Sequence, residues 1–130
     1  PNYKIGVATS TDGINFYKYS GNPIISNTDS WELSGVLYAS VFNENTLLKM
    51  VYGNSNGSAF GLATSSDGLN WTKANTNPFF TNQNTSNNWA SGKIVYPYCL
   101  KISNETRIYY SGTQNYSDEL RIGMMRKSEN

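Results

Sequence analysis

Residues 60–71 read FGLATSSDGLNW, and residues 5–16 read IGVATSTDGINF, nearly the same string 55 positions earlier. The likeness runs on past the Asp-Gly, with FYKYSGNPII (16–25) lying over WTKANTNPFF (71–80), and a partial third copy opens at RIGMMRKSEN (121–130). Between the copies, WELSGVLYASVF (31–42) parallels WASGKIVYPYCL (89–100), each with its tyrosine seven residues after its tryptophan. Next, TLLKMVYGN (46–54) parallels TRIYYSGTQ (106–114). A repeated unit of about 20–50 residues or slightly more, carrying several strands, is what a β-propeller blade leaves in a sequence.

Each unit reads as four strands. VLYASVF or IVYPYCL comes first, LLKMVYG or RIYYSG second, FGLATS third, and LNWTKA fourth. Asp-Gly between alternating strands signals a tight hairpin whose two central residues take positive φ. Asp12 and Asp67 are therefore expected to form turns and not to do chemistry. Phe16 and Trp71 share one register and are expected to pack between adjacent sheets. The expected fold class is all-β, with propeller-type blades of four-stranded antiparallel sheets. The chain, 1–130, divides into a half blade (1–30), a full blade (31–75) and three strands of a further blade (89–130). Propellers close with about 4–8 blades, so about two blades are an incomplete ring. Unpaired sheet edges invite association. Completion by self-association into a homo-oligomer, or by further blades, is expected.

Composition narrows the chemistry. The 130 residues carry ten basic and nine acidic side chains for a net charge of +1, which offers nothing to nucleic acid. No run approaches the ~20 apolar residues that span a bilayer, so no membrane partner is expected. There is no histidine, which excludes a histidine-based triad or histidine metal site built from this chain. Cys99 is the one cysteine and, on an apolar strand, is expected to be a buried structural thiol. No cofactor is expected, and no cluster of metal-ligating residues stands out.

The run IG-A-S-DG-N-W, then NP, then W, V-YP and YYSG, resembles the five-bladed β-propeller glycosidases. These are the arabinanase, xylosidase and β-fructosidase relatives, together with the mannoside phosphorylases. The resemblance covers essentially the whole chain, but only as about two of the blades. It implies a sugar-processing scaffold and is compatible with a secreted or periplasmic location. In that family an Asp-Pro step is common on innermost strands; the matching steps here are Tyr96-Pro97 and Tyr38-Ala39. Glycoside cleavage needs two carboxyls roughly 5–9.5 Å apart, and tyrosine supplies neither. Catalytic carboxylates are therefore not expected from this chain.

The resemblance places the loops before each first strand, and those between second and third strands, on the ligand face. Trp31 and Trp89 are the candidate sugar platforms, because a flat apolar ring flanked by amides and carboxylates suits C–H and hydroxyl groups together. Each tryptophan could equally plug the gap between blades. Tyr38 and Tyr96, at one register on innermost strands, are expected to share a direction and to line the channel; Tyr98 lies nearby. Asp29 and Glu32 are candidate ligand contacts, and Asp118 and Glu119 are the other acids in these loops. The expected function is a carbohydrate-binding or glycoside-hydrolase-like propeller segment with an oligosaccharide ligand. The alternative is a small non-enzymatic binding protein whose two blades assemble into an oligomer.

Overall fold

The computed structural model describes residues 1–116 and 119–128. Among the described residues, ten strands form three antiparallel sheets. The first sheet pairs β1 (Ala8–Thr9) with β2 (Tyr17–Lys18). The second runs β3 (Val36–Glu44), β4 (Leu47–Asn54), β5 (Ala59–Ser65) and β6 (Thr72–Lys73), and β7 (Phe80–Thr81) also pairs with β5. The third runs β8 (Lys93–Ile102), β9 (Glu105–Thr113) and β10 (Arg121–Ser128). The only helical structure among the described residues is three 3₁₀ turns at 30–32, 82–84 and 86–88. None is long enough to cross a membrane.

The sheets bury their faces against one another, as radial blades do. One core joins the first two sheets: Ile25, Val36, Met50, Tyr52 and Ala63 are buried, with Ile5, Ile24 and Trp71 packed on them. A second core joins the next two: Val51, Phe60, Ile94, Cys99, Ile108 and Tyr110 are buried, with Phe42, Leu62, Phe80 and Trp89 alongside. Burial raises the Cys99 thiol above its ordinary pKa, and the Cys99 amide donates to Ser40 Oγ at 2.9 Å, tying β8 to β3. Phe16 does not share the fate of Trp71; it is 64% exposed, because its hairpin has no sheet on that side among the described residues.

Register refines the repeat. Val41 pairs with Met50 in the full blade and Cys99 with Ile108 in the next, so β4 (47–54) superposes on 105–112. That is two residues earlier than the string TRIYYSGTQ suggested; an even slip keeps every side chain on its face, so the sequence pattern alone could not detect it.

The Asp-Gly turn is also built differently from a two-residue hairpin. Gly13 and Gly68 have φ of 73° and 77°, whereas neither aspartate is left-handed. Asp67 Oδ1 instead accepts from the amides of Leu69 and Asn70, both at 2.8 Å, and Asn70 Nδ2 donates to Oδ2 at 2.9 Å. Ser65 Oγ accepts from the amide of Gly68, and Trp71 Nε1 donates to the Gly68 carbonyl. Ser10, Asp12, Gly13, Ile14 and Asn15 repeat the same carboxylate-centred pattern. Bonds from these amides first, and from asparagine and serine, hold both carboxyls far below the ordinary aspartate range.

After each fourth strand an asparagine replaces a strand. Asn77 Oδ1 accepts from the Leu62 amide and Nδ2 donates to the Leu62 carbonyl, both at 2.9 Å. Asn22 does the same to Val7 at 2.8 Å. The NP dipeptides at 22–23 and 77–78 thus satisfy backbone groups that a short fourth strand leaves open.

Inside the full blade lies one charged knot. Glu32 is completely buried and Lys73, from the outermost strand, donates to it at 2.7 Å, as does Tyr52 Oη at 2.9 Å. The amides of Thr28 and Asp29 also donate to Glu32, at 2.7 and 3.0 Å. Burial by itself would raise the Glu32 carboxyl; the Asp29 amide, Lys73, the Thr28 amide and Tyr52 outweigh it, and the pKa is lowered. Removing one partner strands the other charge, so Lys73→Met should cost about 3 kcal/mol in urea unfolding. Glu32→Gln/Lys73→Met together should lose less than the sum of the single changes. Because the folded pKa lies below the unfolded one, the Glu32 contribution should be intact above the ordinary glutamate value. It should be lost as pH falls through the folded value, and Glu32→Gln should flatten that acid limb.

Candidate functional site

The ends of β4 and β9 and the beginnings of β3 and β8 lie on one side of the blades, and the sequence-expected residues gather there. Each innermost strand breaks register near its start, between Leu37 and Ser40 in β3 and between Val95 and Tyr98 in β8. Tyr38 and Tyr96 occupy these bulges with φ of 60° and 54°. A left-handed backbone costs an L-residue roughly 1–2 kcal/mol, so two tyrosines at the same step in two blades are a repeated strain. The bulges turn the rings toward each other: their centroids are 4.5 Å apart at 67°, an edge-to-face pair. Gly53 lies beneath the Tyr38 ring. Pro97 falls in the unpaired part of its bulge, where a missing N–H breaks no ladder bond.

The two phenols differ in setting. Tyr96 is 54% exposed, while Tyr38 is half-buried. Burial, then the neighbouring Tyr96 and Tyr3, raises the Tyr38 pKa, so it stays a neutral donor and acceptor at physiological pH. Tyr98, further along β8, is also exposed.

Trp31 and Trp89 are placed alike. Trp31 lies over Gly61 and is tilted on Tyr52 at 5.6 Å; Trp89 lies over Gly123 and is stacked on Tyr110 at 5.6 Å. A Cβ on Gly61 would come within 2.6 Å of the Trp31 ring, and one on Gly123 within 2.1 Å of Trp89, so glycine is what admits each indole. Each ring therefore has one face committed to its own blade. The Trp31 edge also opens on a shallow recess of about 410 Å³ shared with Leu33, Asn56, Ser58, Asn82 and Gln83. Its buried Nε1–H has no hydrogen-bond partner among the described residues. Asn54 fixes the recess, donating to the Trp31 carbonyl at 2.9 Å and accepting from the amides of Ser58 and Ala59.

The acids separate. Asp29 is exposed at the start of the 3₁₀ turn at 30–32. Glu32 is corrected from a ligand contact to a structural anion: its oxygens are spent on Lys73, Tyr52 and two amides inside the blade. Glu119 is exposed in the loop before β10, and Asp118 lies outside the described residues. Among the described residues no group of three His, Cys, Asp or Glu side chains stands where it could hold a metal ion. Sequence reading missed the bulges; the shared Tyr-Pro and Tyr-Ala step marked where they fall, but not their backbone.

No family model matches the sequence, and no curated protein matches it. Solved structures do. A BT0996–RGII complex superposes with a TM-score of 0.74 at 19% identity, over 96% of this protein and 36% of that one. A mutant of the Bombyx mori GH32 beta-fructofuranosidase BmSUC1, in complex with sucrose, gives 0.69 at 22% identity, over 93% and 26%. The native Bacillus subtilis arabinanase gives 0.55 at 16% identity, over 70% and 32%. The fold is that of the propeller glycoside hydrolases. The protein spans 36%, 35% and 28% of the first three such structures, so it corresponds to a minority of that propeller fold.

The strain at the Tyr38 and Tyr96 steps can be measured. Asparagine tolerates left-handed φ, whereas a β-branched side chain does not. Tyr96→Asn loses an edge-to-face contact worth about 0.5–1.5 kcal/mol and regains part of it as relieved strain. It should stay within about 1 kcal/mol of the parent in urea unfolding, with Tyr96→Val at least about 1 kcal/mol lower still. Equal losses for Asn and Val would mean that the backbone at 96 is unstrained.

Proposed function

We propose that this chain is a carbohydrate-binding segment of a glycoside-hydrolase-like propeller, one that lines a sugar site without supplying the acid and base. The Tyr38–Tyr96 pair carries this reading. Two bulged inner strands hold two phenols at a strained step, one ring half-buried and neutral, the other open to solvent. Such a pair offers an apolar face to sugar C–H groups and hydroxyls to sugar oxygens. The Trp31 recess adds the side-chain amides of Asn56, Asn82 and Gln83 on the same side. Ligand identity follows the chemistry of this lining: a neutral oligosaccharide, since none of the residues around the recess is charged.

The sucrose bound in the Bombyx mori structure supports a sugar as the class of ligand for this fold. Hydrolysis is not assigned to this chain. Of the acids described on this side, Glu32 is neutralised inside the blade, and Asp29 and Glu119 are exposed.

Isothermal titration against a panel of neutral and uronic-acid oligosaccharides tests the reading. A neutral oligosaccharide should bind, and Tyr38→Ala or Tyr96→Ala should weaken it at least tenfold, about 1.4 kcal/mol. No reducing ends should appear on prolonged incubation. Unchanged affinity in both tyrosine variants, with the fold intact, would remove the pair from the site.

A further inference from the structure

A phenol that loses one electron and its hydroxyl proton becomes a radical with spin on its ortho carbons. Two such rings held in contact join through a carbon–carbon bond. Which of the ten tyrosines can do this is a matter of geometry. Among the described residues Tyr38 and Tyr96 make the one ring contact between two tyrosines. Tyr52 and Tyr110 pack instead on tryptophan or phenylalanine. Tyr98 and Tyr109 stand opposite one another on β8 and β9, but they make no ring contact, and Tyr109 is hydrogen-bonded to Arg107. Tyr3 lies near enough to Tyr38 to raise its pKa, again without a ring contact.

The spacing of the pair fits the coupled product. The ring centroids are 4.5 Å apart at 67°. In a directly joined biphenol the centroids stand one carbon–carbon bond and two ring radii apart, with the rings twisted out of one plane. The observed separation is already close to that sum, so the reacting edges need little movement to meet. The backbone holds them there: each ring projects from a bulge with positive φ, on innermost strands of adjacent blades, and Gly53 lies beneath the Tyr38 ring. Tyr96 is 54% exposed and Tyr38 half-buried, which leaves the pair open to an oxidant in solution.

We infer that Tyr38 and Tyr96 form an oxidative cross-linking site, whose co-reactant is hydrogen peroxide acting through a haem peroxidase or an equivalent one-electron oxidant. Each phenol gives up one electron and its hydroxyl proton. The unpaired electrons pair in one new bond between an ortho carbon of each ring. Each of those carbons then releases its hydrogen as a proton, the ring oxygen takes one up, and both phenols are restored. The protein loses two hydrogen atoms in all, and one peroxide is reduced to two waters. The bond staples β3 to β8, two strands otherwise tied by the Cys99 amide on Ser40. The site stands whether or not the pair meets a sugar.

The test exposes the dilute full chain to a haem peroxidase with limiting hydrogen peroxide. A second arm uses a small photochemical oxidant, a ruthenium tris-bipyridyl complex with persulfate, so that the size of the enzyme does not decide the result. The expected product runs as a monomer on a denaturing gel, is lighter by two hydrogens and shows dityrosine fluorescence. Proteolysis should release a peptide pair joined through Tyr38 and Tyr96. Tyr38→Phe and Tyr96→Phe, which keep both rings, should each lower the yield at least tenfold, whereas Tyr3→Phe and Tyr109→Phe should leave it unchanged. Melting temperatures read alongside confirm that the variants fold. Because the bond closes a long loop in the unfolded chain, the coupled protein should unfold at a higher urea concentration than the parent. No dityrosine in either arm, an equal yield in the Tyr38 and Tyr96 variants, coupling only between molecules, or a bond joining Tyr98 to Tyr109 or Tyr3 to Tyr38 in its place would overturn the inference.

Discussion

An indole lying on a glycine, backed by a tyrosine, recurs once per blade, and the rest of the arrangement hangs from it. Trp31 on Gly61 and Trp89 on Gly123 clamp the loop entering a blade to the blade's own third strand. Each indole then fixes where the innermost strand begins, seven residues ahead of the strained tyrosine. Without that clamp the long polar loops at 26–35 and 82–92 would enter the first strands with no set direction, and the bulges would have no reason to face one another. The aromatic area buried does the stabilising, while the missing Cβ decides whether the ring can lie flat. The same contact that holds the scaffold also takes one face of each tryptophan away from any ligand.

Much of this scaffold was legible in the sequence. The duplicated strings located strands, hairpins and the order of the sheets, because period-2 alternation and turn residues act locally. Three features were not legible, each for a physical reason. Asp67 acts through its side chain on amides two and three residues ahead, which composition cannot separate from a left-handed turn residue. The partner of Glu32 is Lys73, 41 residues away on β6, so an acid in a polar loop reads as solvated. The bulges at Tyr38 and Tyr96 depend on register between strands, which no single strand encodes.

The blades are not equal copies, and their differences are chemically ordered. Strand register places Met125 where the full blade has Ala63, and the duplicated loop places Ala90 where it has Glu32. The full blade thus closes its outer strand with an ion pair, two amide bonds and a phenol. The next blade has no acid at that place and carries the larger apolar Met125 in place of Ala63.

The tyrosine step, like the clamp, is kept in both inner strands. Strain that served only packing would be easy to discard, since glycine or asparagine accommodates positive φ at little cost. Tyrosine at both places keeps the cost and adds a large amphipathic ring. The edge-to-face pairing recovers part of that cost, about 0.5–1.5 kcal/mol, against roughly 1–2 kcal/mol of backbone strain at each residue. Burial of part of the Tyr38 ring adds to that recovery. Under the proposed sugar-binding role, a ligand rich in both C–H and hydroxyl groups would answer both halves of each side chain on the face left open to solvent.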